Sequence, residues 1–168
     1  MSRGGDEGFD GELPAAIPGD RVTPAPTRGA LVLDSLAALL ALVGLGDAVY
    51  LTAQHLLGNS LRCTITSGCS EVLGSSYATV AGYPLAAVGA VAYFTAFSLA
   101  TLAAFGYARA RGLLALLVAS MFLITLWLLY VQAYVLYAFC QYCLLSAAIT
   151  AALALVVLAH RLRRSPFR

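Results

Sequence analysis

Four long apolar stretches organise this chain, at about residues 30–57, 83–107, 112–136 and 138–162. Each has at least the roughly 20 residues that a helix needs to cross about 30 Å of hydrocarbon. Inside lipid the backbone must satisfy its own hydrogen bonds, so all four are predicted to be helices. The expected fold class is an all-α membrane protein: a four-transmembrane-helix bundle over residues 30–162, with an outward-facing loop at about 58–82 between the first two spans. Residues 1–29 break the pattern. They hold four of the six prolines, six glycines, three Arg and five Asp or Glu, which predicts a disordered tail rather than packed structure. Residues 163–168 form a second short tail. The first apolar stretch is too long for a secretory signal peptide.

Composition agrees with this reading. The 168 residues are 61% hydrophobic and 11% charged, against about 45–50% and about 25% in ordinary soluble domains. A net charge of +2 is too small for a surface that tracks nucleic-acid phosphates. All ten basic residues are Arg, and their placement is lopsided. Arg3, Arg21, Arg28, Arg109, Arg111, Arg161, Arg163, Arg164 and Arg168 flank one side of the four spans, and only Arg62 lies on the other. The positive-inside rule then puts both termini in the cytoplasm. The 58–82 loop and the short turn near 136–139 face outward.

The four cysteines all fall on that outward side. Cys63 and Cys69 lie in the loop sequence RCTITSGCSEVLGSS, and Cys140 and Cys143 in AFCQYCLLS, at the start of the fourth span. Disulfides form and persist in the compartment this side faces. A Cys-x-x-Cys at a helix N-terminus is placed where unpaired N–H groups stabilise a thiolate. A static bridge is the plain alternative, and for the loop pair a simple staple. Four-cysteine zinc ligation is poorly served by this spacing, so no metal is expected. A mobile loop pair beside an embedded Cys-x-x-Cys is the arrangement a dithiol relay needs, because exchange proceeds by thiolate attack on a disulfide through a mixed disulfide.

These residues resemble the vitamin K epoxide reductase family over about residues 30–162. The likeness rests on the loop pair Cys63 and Cys69 followed by Ser75, on the run CSEVLGSSYATVAGYPLAAVGAVAY, and on Cys140-Gln-Tyr-Cys143 opening the last of four helices. In the other bacterial type of disulfide-generating quinone reductase, the Cys-x-x-Cys comes first in the chain. The resemblance implies a quinone pocket, with a menaquinone or ubiquinone as electron acceptor. It implies electrons entering at the loop pair from a soluble thioredoxin-like thiol oxidase, passing to Cys140, and leaving from Cys143. Cys69 is expected to meet the partner and Cys63 to shuttle inward. Ser75, or its neighbour Ser76, is expected to bond near the relay or the quinone; helix capping is the simpler use of a serine there. Animal members carry a Tyr four residues beyond the motif, where this chain has Ala147, so that hydrogen bond is not expected. With no thioredoxin-like domain fused at either end and no dilysine tail, the bacterial branch and a cytoplasmic (inner) membrane location are favoured.

Asp34 is expected to snorkel at the cytoplasmic end, near Arg28. Asp47 lies about 20 Å further along the helix, deep enough that a carboxylate is costly; beside a quinone site it could supply protons. His55, Gln132, Tyr134 and Tyr137 read as interfacial residues, and Trp127 as core packing or a quinone contact. The competing function is a non-catalytic tetraspan scaffold stapled by disulfides. A small transporter lacks the expected inverted repeat and broken helices.

Overall fold

The computed structural model describes residues 28–58, 68–80 and 82–164. Most of the expected N-terminal tail, Cys63 and Arg62 lie outside the described residues. Four long helices carry the structure: α1 (Arg28–Leu56), α3 (Leu85–Ala104), α4 (Ala108–Tyr134) and α5 (Gln141–Arg164). All four are long and apolar enough to cross a membrane. Between α1 and α3 lie the short helix α2 (Cys69–Gly74), a 3-10 turn (Ser76–Ala78) and a small antiparallel ribbon of β1 (Thr79–Val80) and β2 (Tyr83–Pro84).

The long helices alternate in direction and close a ring: α1 packs on α3, α3 on α4, α4 on α5, and α5 back on α1. Small residues make the seams. Ala37, Ala41 and Ala48 of α1, and Ala96 and Ala100 of α3, are buried together with Leu114, Val118, Ile149 and Leu153. Leu39, Val43, Leu116, Leu123 and Leu155 point outward. This is the expected sorting in lipid, where large apolar side chains gain nothing by leaving the hydrocarbon and small ones let backbones approach. Gly44 is the tightest case: a Cβ there would strike the Tyr93 ring.

Two boundaries differ from the sequence reading. Helix α4 starts at Ala108, so Arg109 and Arg111 belong to its first turns rather than to a link. The last helix starts at Gln141, three residues later than the apolar pattern suggests. Tyr107 closes the α3–α4 turn after Gly106, whose φ of 97° suits glycine.

The bundle therefore has two unlike ends. One gathers the start of α1, the α3–α4 turn and the end of α5, and with them Arg28, Arg109, Arg111, Arg161 and Arg163. The other gathers α2, the ribbon, the α4–α5 turn and the described cysteines. Asp34 lies at the first end but does not snorkel. It is buried and pairs with Arg111 (Oδ2 to Nη2, 3.3 Å), with His160 Nε2 3.8 Å from its other oxygen. Its cationic partner comes from α4 rather than from neighbouring Arg28. Arg111 Nη2 also donates to the Ala103 carbonyl oxygen at 2.8 Å, which accepts as well from the Gly106 N–H at 3.0 Å at the α3 C-terminus. One guanidinium thus joins α1, α3 and α4.

Candidate active site

The cysteine end is built on the turn between α4 and α5. Gln132 holds this turn twice: its carbonyl oxygen accepts from the Ala138 N–H at 3.2 Å, and its side-chain Oε1 accepts from the Cys140 N–H at 3.2 Å. Tyr137 turns the chain with a φ of 49°. Cys140 then occupies the N-cap position of α5, its carbonyl accepting from the Leu144 N–H at 3.0 Å. Cys143 follows in the first turn. Between them Tyr142 leans on Tyr50 of α1, with ring centroids 5.6 Å apart, a contact that ties the motif to the bundle.

Helix α2 lies against this turn. Cys69 and Val72 form one buried cluster with Ala138 and Cys140, and Cys143 and Tyr142 pack on its edge. Gly68, the residue before α2, sits so close to Phe139 and Ala138 that a Cβ would come within 2.8–3.0 Å of them. Cys69 is 1% exposed and Cys140 0%. Cys69 is disulfide-bonded, whereas Cys140 and Cys143 are free thiols. Cys69, expected to meet a soluble partner, is buried against the Cys-x-x-Cys.

The Cys140 thiol is pulled down to about 6, first by a hydrogen bond from the Cys143 side chain and further by the backbone N–H groups of Cys143 and Tyr142; burial works the other way. The helix N-terminus supplies those backbone donors. Above about pH 6 the pair is thus a Cys140 thiolate holding the Cys143 thiol.

A cavity of about 240 Å³ opens behind the pair, among α1, α2, α3, α4 and α5. Cys143 lines it and Cys140 does not. The walls are largely apolar, with a few polar groups from Asp47, Ser75 and Gln132. Asp47 Oδ2 is buried without a hydrogen-bond partner. Such a lining suits a flat apolar ring with polar edges. Ser75 borders the cavity, but its hydroxyl donates to the Val72 carbonyl oxygen at 2.7 Å, so it caps the end of α2. Ser76 is exposed and not part of the lining. Among the described residues no group of His, Cys, Asp and Glu could hold a metal ion.

The sequence profile of the vitamin K epoxide reductase family matches residues 35–158. The chain belongs to that family. Membership makes it an oxidoreductase, of a family that uses quinones as electron partners and generally works with thioredoxin-like proteins.

Several residues of this family member's cavity escaped the sequence reading. Tyr93, 2% exposed, donates to the Ser146 carbonyl oxygen at 3.0 Å and lies 2.9 Å from Ser146 Oγ and 2.8 Å from Thr150 Oγ1. The hydroxyls at 146 and 150, four apart on one helix face, were the available signal. Gln132, read as interfacial, is instead buried and holds the Cys140 N–H from eight residues before it. His55, read as interfacial, borders the cavity. Trp127 is neither core nor cavity wall: it is 57% exposed and stacks on Tyr130 along the outer face of α4.

Proposed function

We propose that this protein is a dithiol:quinone oxidoreductase of the inner (cytoplasmic) membrane that supports disulfide formation in a thioredoxin-like partner on the extracytoplasmic side. The arginine-rich end and both termini face the cytoplasm, in keeping with the positive-inside rule. The observation that carries the reading is a division of labour among sulfurs: Cys69 abuts Cys140, and Cys143 lines the cavity.

In the relay, a partner thiolate attacks Cys63 of a Cys63–Cys69 disulfide, and Cys69 leaves as thiolate. Cys69 attacks Cys140 of the Cys140–Cys143 disulfide and releases Cys143. The partner's second thiol frees Cys63, which attacks Cys69 and expels Cys140. The partner is now oxidised, the loop bond is restored and two electrons rest on Cys140 and Cys143. A low-pKa thiol leaves readily from such a mixed disulfide, which is the use of the lowered Cys140. The described state, with Cys69 bonded and Cys140 and Cys143 free, corresponds to this point in the cycle.

Cys143 then reacts with a quinone in the cavity, its proton passing along the hydrogen bond to Cys140; as the Cys140–Cys143 disulfide re-forms, the electron pair and that one proton go to the quinone. Quinol formation takes two protons. A thiolate–thiol pair carries only one. Asp47, buried at the cavity wall, is the group that supplies the second. Ser75 shapes the cavity by fixing the end of α2, and Ser76 has no assigned contact.

The test is quinone-dependent oxidation of a dithiol substrate by the purified protein. Turnover that disappears in Cys143→Ala supports the reading. Turnover that survives in Cys143→Ala refutes the relay, and no turnover in the wild type favours a disulfide-stapled scaffold.

A further inference from the structure

A second cavity, of about 280 Å³, lies at the arginine end of the bundle, remote from the cysteines, among α1, α4 and α5. Its polar lining is Asp34, Arg111, His160 and Arg161, and its apolar lining includes Leu33 and Val156. The Arg111 side chain is 10% exposed. Its Nη2 serves Asp34 and the Ala103 carbonyl, while Nε and Nη1 are buried without a hydrogen-bond partner. Buried donors left unmatched are costly. The guanidinium carries more donors than Asp34 and the Ala103 carbonyl use, and the unmatched ones belong to a side chain that lines the cavity.

The charge balance favours an anion. Arg111 and Arg161 alone outweigh the single carboxylate of Asp34. Guanidinium donors match the oxygens of a phosphate. The position selects the source: this is the end of four membrane-spanning helices, with an apolar wall on one side of the cavity, the exposed Arg161 at its rim, and leucines and valines facing outward along the shafts. Basic pockets between spanning helices suit lipid headgroups.

We infer that this cavity binds the phosphate group of an anionic phospholipid, held by Arg111 Nε and Nη1 and by Arg161, with the acyl chains lying along the outer faces of the helices. The site is independent of the thiol relay and ties lipid composition to the stability of the bundle.

The experiment uses the full-length protein, stripped of lipid in neutral detergent. Phosphatidylglycerol, phosphatidylcholine and inorganic phosphate are added separately, and thermal unfolding and retained lipid by native mass spectrometry are read. Phosphatidylglycerol is expected to raise Tm and remain bound, phosphatidylcholine and inorganic phosphate much less. Arg161→Gln, which leaves the buried pair intact, is expected to weaken phosphatidylglycerol about fivefold, from about 1 kcal/mol per surface arginine. Arg111→Gln is expected to weaken it further. Arg109→Gln, exposed and outside the cavity, is expected to have a smaller effect than Arg161→Gln. Equal stabilisation by inorganic phosphate overturns the lipid assignment. Equal losses in Arg109→Gln and Arg161→Gln, or no preference for phosphatidylglycerol, overturn the site. Should Arg111→Gln fail to fold, the comparison of Arg161→Gln with Arg109→Gln decides the matter.

Discussion

Gly68→Ala tests whether the close packing of the loop on the α4–α5 turn matters to electron transfer. Gly68 has φ −94° and ψ 8°, which alanine adopts without strain, so the perturbation is steric. The added Cβ would lie 2.8 Å from the Phe139 nitrogen, 2.9 Å from the Ala138 Cβ and 3.0 Å from the Phe139 carbonyl oxygen. None of these atoms can rotate aside. The start of α2, and Cys69 with it, must move away from the Cys140 turn. Overpacking of this kind costs about 1–3 kcal/mol. Applied to the loop-to-helix exchange step, that is about 5- to 150-fold in rate. The assay separates two half-reactions. Steady-state oxidation of a dithiol by quinone is expected to fall within that range, while re-oxidation of a chemically reduced Cys140–Cys143 pair by quinone stays near wild type. Gly74→Ala, whose Cβ meets nothing within 4 Å, serves as the control. Wild-type turnover in a folded Gly68→Ala protein would refute the reasoning, and equal slowing of both half-reactions would show general damage to the bundle.

Three further outcomes are expected. Ultraviolet titration of the Cys140 thiolate, with the loop disulfide intact, should give a midpoint of about 6; the thiolate is present above it and lost below it, and Cys143→Ala should move the midpoint up toward the ordinary thiol value of about 8.5. Asp47→Asn should slow single-turnover quinol formation by about 10²-fold, the scale of a lost general acid, while leaving dithiol-to-Cys140 transfer unchanged; an unaltered quinol step would remove Asp47 from the account. Gly44→Ala should destabilise the bundle by about 1–3 kcal/mol, read as a lower Tm, because the Tyr93 ring it would strike is anchored to Ser146 and Thr150.

Apolar length alone revealed the four spans, since lipid leaves the backbone few alternatives, and Cys-x-x-Cys spacing located the end of the bundle where the thiols gather. The faces of the helices were not legible. Large and small apolar residues are equally apolar in a pattern, so nothing marked Ala41 and Ala96 as core and Trp127 as outward. Long-range polar pairing was equally hidden. Asp34 meets Arg111 77 residues away, a partnership decided by how α4 crosses α1 and α3, and a local reading chose Arg28 instead. Cys69 carries no sequence mark of its burial; its packing against Cys140 goes with the close fit of Gly68 to the α4–α5 turn.

The most direct measurement traps the link between the two pairs. In a Cys63→Ala/Cys143→Ala protein, with the resolving thiol on each side removed, mild oxidation in membranes followed by peptide mass spectrometry should find Cys69 joined to Cys140 in most molecules. Two free thiols, or bonds only between separate chains, would contradict the account.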